Sequence, residues 1–179
     1  MSTGRVILVR GISGVGKSTH VEELRRKYER KTRNEGEPPD FAICSADNFF
    51  YQRISQSGGC EYFFDPTKLA EAHTVCLANY IDAVVAKTAV IVVDNTFIHH
   101  WEMKNYIKLA NFHDYDVDIH EIRVNTISEL RTCIARNVHK VPADVVSRMA
   151  LEFEPMDERE KQVKVIPVKV IPMMGRILR

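Results

Sequence analysis

In GISGVGKST, residues 11–19, one lysine stands at the mouth of a glycine-rich turn. The spacing Gly11-x-x-x-x-Gly16-Lys17-Ser18 is the phosphate-binding loop pattern. Glycines let the backbone fold so that successive N–H groups converge on phosphate oxygens, and the helix that follows adds its positive N-terminal end. Gly11, Ser13, Gly14, Val15, Gly16, Lys17, Ser18 and Thr19 are therefore the expected cradle for a nucleotide triphosphate. Lys17 is expected at the outer phosphates, and the Ser18 hydroxyl is the expected ligand of a Mg²⁺ ion.

Phosphoryl transfer leaves a protein little covalent chemistry. It must hold an acceptor hydroxyl in line, take its proton and neutralise charge on the equatorial oxygens. Two carboxylates follow apolar runs that read as strands: Asp47 after FAICS, and Asp94 after AVIVV. Asp47 suits the proton-accepting role; Asp94 suits a Mg²⁺-holding or acceptor-positioning role. Alone, each acid also fits a turn or helix cap. A cation must move in over the phosphates as well. Arg131, Arg136 and Lys140 surround a break at Asn137 and Pro142. Arg136, nearest the break, is the expected lid arginine, whereas Arg131 reads as a surface charge.

These residues need a scaffold in which strand ends meet. Val6–Val9 is a short apolar run of the buried parallel type, and Val21, Leu24 and Tyr28 recur at helical spacing. Further strands are expected at 41–45, 89–93 and 117–124. Helices are expected from Asp65-Pro66 to about Ala86 (apolar face Leu69, Ala72, Cys76, Tyr80, Val84), over 100–112, from the Thr126/Glu129 capping box to about Arg136, and from Pro142 to about Phe153. Residues 51–64, with Gly58-Gly59, read as a mobile loop. Trp101, Phe49, Phe50, Tyr51, Tyr62, Phe63 and Phe64 read as core, although the last six flank Asp47, where bases can stack. The VKVIP unit at 163–167 recurs at 168–172; alternating Val and Lys suits short edge strands, with lysine blunting the edge. Alternating strands and helices imply an α/β fold with a parallel sheet and helices on both faces, with ligands beyond the carboxyl ends of the strands.

The bulk properties fit one domain. The chain has 179 residues, 45% hydrophobic and 27% charged, with a net charge of +1 that does not announce a nucleic-acid binder. Residues 5–35 nevertheless carry nine Arg or Lys against four Glu. Four cysteines without a CxxC pair best suit reduced thiols in a cytoplasmic protein, and they leave a nuclear location open. No apolar stretch is long enough for a membrane span. The histidines at 73, 99, 100, 113, 120 and 139 show no HxxxH spacing for a metal, and His99-His100 reads as solvated. Nothing in the sequence speaks to oligomeric state.

GISGVGKST, SADNFF, YFFDPTKLAEAH, VIVVDNTF, WEMKNYIKLA and RNVHKVP occur in this order. Together they resemble the kinase-like domain of the Nedd-four-binding-protein-two family and, more distantly, phage 5′-hydroxyl polynucleotide kinases. The resemblance spans about residues 5–154. It implies a P-loop NTPase of adenylate-kinase-like type: a three-layer sandwich with a mostly parallel central sheet and a small helical lid. A kinase domain is accordingly expected over residues 1–154, with 155–179 expected as a tail of short edge strands packed on it. It also implies ATP and Mg²⁺ as cofactors, a nucleic-acid 5′ end as acceptor, and Asp47 as general base. Lys17 and Ser18 stand at the phosphates and metal, Asp94 and Thr96 at the acceptor site, and Arg136 closes the lid. Two positions depart from the pattern. Where polynucleotide kinases carry an arginine three residues after the catalytic aspartate, this chain has Phe50, and the family's DNTN reads Asp94-Asn95-Thr96-Phe97. A nucleoside, sugar or metabolite kinase and a non-catalytic ATP-binding switch are the competing readings; a base at Asp47 argues against the switch.

Overall fold

The computed structural model describes residues 2–33, 40–53, 60–156 and 164–168. The apolar run after Thr3 forms β1 (Gly4–Arg10), and the glycine turn feeds α1 (Lys17–Arg33). β2 (Phe41–Cys44) leads into a 3₁₀ turn (Ala46–Phe50) and a hairpin of β3 (Tyr51–Arg53) and β4 (Cys60–Tyr62). Then come α2 (Leu69–Val85), β5 (Val90–Asp94), α3 (His100–Phe112), β6 (Tyr115–Ile122), α4 (Ile127–Ala135), α5 (Ala143–Glu152) and β7 (Lys164–Val168). The sheet runs β2-β5-β1-β6-β7, and every pairing in it is parallel. β1 therefore sits centrally, with Val9 opposite Asp94 on one side and His120 on the other.

Burial on both faces explains the unbroken apolar strands. Val6 and Leu8 point into a core with Ala72, Cys76 and Tyr80 of α2 and Met103 and Tyr106 of α3. Their neighbours Ile7 and Val9 point the other way, to Val21 and Leu24 of α1, Cys133 of α4 and Val146 of α5. The three layers follow from this alternation.

Several expectations are corrected. Leu69 is 43% exposed, because α2 is preceded by a 3₁₀ turn (Pro66–Lys68) that starts the helix outside the core. Asp65 still caps that turn, accepting from the Thr67 amide at 2.9 Å. The segment read as a loop carries the β3–β4 hairpin on either side of Gly58-Gly59, which lie outside the described residues. The strand read at 117–124 is displaced to 115–122, since Tyr115 is buried and donates to the Thr88 carbonyl at 2.9 Å. His99 and His100 are engaged rather than solvated: the Glu154 carboxylate accepts from the His100 amide at 2.8 Å and faces His99 Nδ1 at 3.2 Å. The first VKVIP copy supplies β7 at the sheet edge, pairing with Asp118–Ile122; the second lies almost wholly outside the described residues.

A buried ionic junction ties the far end of the chain to the sheet. Arg10 is fully buried, donating to the Phe97 and Ile98 carbonyls at 3.0 and 3.1 Å and to Glu121 at 3.1 Å, with its guanidinium 4.3 Å from the Phe153 ring centroid. Glu121 also accepts from Arg123 and from the Met156 amide at 3.0 Å. Burial pulls the Arg10 pKa down, and Glu121 opposes that pull.

Candidate functional site

Three strand ends converge where the sheet's carboxyl edge opens. β1 ends in the P-loop, β5 in Asp94, and β2 in the turn carrying Asp47. Gly11, Gly14 and Gly16 have φ of +151°, +77° and +105°. At Gly14 the need for glycine is double, since a Cβ there would lie 2.1 Å from the Cys133 carbonyl oxygen of α4. The Gly11 amide donates to the Thr96 carbonyl at 3.0 Å, which fastens the loop to the end of β5. Val15 is fully buried and Ser13 nearly so, whereas Ser18 and Thr19 are exposed. The Lys17 ammonium donates to the Ile12 carbonyl at 3.2 Å, folded back over its own loop.

The two carboxylates have different surroundings. Asp94 is buried and accepts from the Ser18 hydroxyl at 3.4 Å. Burial raises its pKa, opposed by Lys17 and reinforced by the negative charge of Asp47. A buried carboxylate beside a P-loop hydroxyl offers hard oxygen donors, which fits Mg²⁺. Asp47 is 49% exposed at its side chain. Its Oδ1 accepts from the Tyr62 hydroxyl at 3.1 Å, and its Oδ2 lies 3.5 Å from His139 Nε2. Partial burial, with Asp47 adding to it, pushes the Tyr62 phenol well above its ordinary range, so the hydroxyl keeps its proton and donates.

The turn holding Asp47 is itself held. Ser45 Oγ accepts from the Asp47 amide at 3.3 Å, and Asn95 Oδ1 accepts from the Ala46 amide at 3.0 Å. Asn95 Nδ2 in turn donates to Cys76 Sγ at 3.4 Å, where burial pushes the thiol pKa up and keeps it neutral.

Over the P-loop sits the segment between α4 and α5. Thr126 and Glu129 form the expected capping box at the start of α4, and Arg136 caps its end. Arg136 Nε donates to the Gly14 carbonyl, and Ser13 Oγ donates to Asn137 Oδ1 at 3.2 Å. Arg131 is exposed. The structure thus brings Ser18 together with Asp94, and Arg136 with the P-loop; Thr96 joins through its backbone. Asn95, Tyr62, Asn137 and His139 also belong to the constellation. Asn137 marks the expected break and Tyr62 is one of the aromatics expected to flank Asp47, and Asn95 neighbours a strand-end acid; His139 carries no such signal.

The aromatics divide. Phe50 is 2% exposed and packs against Phe49, Tyr62 and Phe64, so the position occupied by an arginine in polynucleotide kinases faces the core here. Tyr51, Phe63 and Phe64 are about half exposed and Trp101 is 70% exposed, against their reading as core. Phe97 is buried with φ +43°, edge-on to Tyr106.

A profile of the AAA domain family matches residues 6–156. The chain belongs to that family. Human NEDD4-binding protein 2 is 29% identical over 149 residues, covering 83% of this chain. The chain spans only 8% of that relative's length. Among solved structures, a gluconokinase from Sinorhizobium meliloti 1021 aligns with TM-score 0.56 and 14% identity over 97% of this chain and 86% of its own. Chaetomium thermophilum Kti12, in complex with ADP-AlF3, aligns with TM-score 0.55 and 10% identity over 90% and 88%. The α/β architecture with a P-loop is thus shared with kinases. Among the described residues no helix is long and apolar enough to cross a membrane.

Proposed function

We propose that this domain is an ATP-dependent phosphotransferase acting on the 5′-hydroxyl of a nucleic acid. The observation that carries this reading is the division of labour between the two carboxylates. Asp94 is buried against Ser18, which suits the donor side; Asp47 is half exposed and held from two sides, which suits a base for the acceptor. In the reaction the acceptor oxygen attacks the γ-phosphorus, its proton passes to Asp47, and the bond to the β-phosphate oxygen breaks to release ADP. Lys17 and Arg136 stabilise charge on the transferring group. Ser18 and Asp94 would hold Mg²⁺, which would supply countercharge to the transferring phosphate.

The polynucleotide acceptor is supported by the exposed rings of Tyr51, Phe63 and Phe64 on the elements beside Asp47. Such rings favour flat bases, each stacked base contributing about 1–3 kcal/mol. The gluconokinase's likeness in fold keeps sugars in the test. The protein is incubated with γ-labelled ATP and a panel of 5′-hydroxyl DNA and RNA oligonucleotides, nucleosides and sugars. Label should pass to oligonucleotides, and Lys17→Ala should abolish transfer with melting unchanged. Label on sugars or nucleosides alone overturns the acceptor; transfer by Lys17→Ala near the wild-type rate overturns the P-loop role.

A further inference from the structure

The turn after α4 touches both walls of the cleft. Arg136 and Asn137 hold the P-loop at Gly14 and Ser13, while His139, two residues on, crosses to the opposite wall and faces Asp47 Oδ2 at 3.5 Å. The His139 ring also packs on Tyr62 at 4.2 Å between centroids, and Tyr62 holds the other oxygen of the same carboxylate. The turn is closed on itself: Asn137 Nδ2 donates to the Val141 carbonyl at 2.7 Å, the Lys140 amide donates to the Asn137 carbonyl at 3.2 Å, and Lys140 takes the left-handed φ of +53°. Arg136 and His139 therefore ride on one small, braced unit.

We propose that His139 is a positioning residue of the transfer site: it seats the Asp47 carboxylate from the lid side, so that closure over the phosphates and orientation of the base are one event. This rests on the reading of Asp47 as the base. The physical need is clear. A half-exposed carboxylate on a short turn, held at one oxygen alone, still swings about that contact. Tyr62 engages Oδ1; without a second group, Oδ2 is not aimed. His139 supplies that group only when the turn is down, which is also when Arg136 lies over Gly14. Transfer geometry is thus assembled after the donor is covered, and an uncovered nucleotide meets an unaimed base.

The test is a cycle on the intact domain with ATP and a 5′-hydroxyl oligonucleotide. His139→Ala should lower kcat about tenfold, with KM for ATP within about twofold, the scale of lost orientation by a supporting group. His139→Gln, whose amide nitrogen reaches the same point, should recover most of the rate. In an Asp47→Asn background His139→Ala should add nothing, since its effect runs through that carboxylate. Additive losses, or a glutamine variant as slow as the alanine variant, overturn the proposal. If the wild type labels no acceptor, the kinase reading fails separately and amide exchange decides the seat. Exchange at Lys140 should quicken equally in Asp47→Ala, His139→Ala and the double variant, whereas an Asp47→Ala protein with wild-type exchange overturns it.

Discussion

At the scale of single residues, two aspartates of one cleft should fail in different ways. Asp47→Asn keeps size and shape but removes the base, so turnover should fall about a hundredfold to ten-thousandfold. ATP affinity should hold, because the P-loop is untouched, and extra Mg²⁺ should not restore the rate; rescue by Mg²⁺ would make Asp47 a metal ligand instead. Asp94 should show itself in stability. Its folded pKa is raised by burial above that of the unfolded chain, so the folded state binds the proton more tightly and its charged form opposes folding. Without nucleotide, Asp94→Asn should melt a few degrees above wild type at pH 8. The gap should close as pH falls through the raised pKa, where wild type also becomes neutral. Thermal scans of both proteins across pH check this, and a wild-type advantage at pH 8 would contradict it. Much of this scale was legible: a P-loop and two strand-end acids declare themselves by type and spacing. The tie of Tyr62 and His139 to Asp47 did not, because nothing local marks a shared partner 15 and 92 positions away.

At the scale of elements, α4 works as an arm. Its capping box fixes one end and Arg136, at the other, is held on the Gly14 carbonyl of the P-loop; in the proposed reaction that contact aims it in advance. Arg136→Ala should cost far more in turnover than in ATP affinity, since charge develops on the transferring group chiefly in the transition state. Parallel measurement of kcat and nucleotide Kd decides it; equal losses would make Arg136 a ground-state ligand. Helix and strand order was readable from periodicity and caps, down to the capping box at Thr126 and Glu129. The β3–β4 hairpin was not. Two three-residue strands lie below the length at which alternation can be told from chance, and the glycine pair between them reads equally as loop. Leu69 misled because it keeps helical spacing while preceding the part of α2 that reaches the core.

At the scale of the whole molecule, the parallel sheet gathers the P-loop, Asp47 and Asp94 at one edge, and the Arg10–Glu121 junction keeps that edge joined to the segment after α5. Sequence reading had no access to this junction, since an arginine closing an apolar strand ordinarily marks the approach to solvent. Glu121→Gln removes the strongest countercharge from a buried guanidinium and leaves only the weaker pull of Glu102 and Glu154, which should cost about 3–5 kcal/mol. Urea unfolding measures it; a loss below about 1 kcal/mol would mean that the carbonyls of Phe97 and Ile98 hold Arg10 without help. The opposite edge of the molecule's logic lies in β7. Lys164, Val165, Ile166 and Pro167 meet β6 in register, and Lys169, Val170, Ile171 and Pro172 repeat those four side chains in order. Among the described residues β7 is an edge strand, where Pro167 is tolerated. Sliding the chain by five residues would present β6 with the same four side chains and change only the last, Val168 for Met173. The repeat is therefore a vernier with two near-equivalent notches, written into the sequence at the point where the chain meets β6.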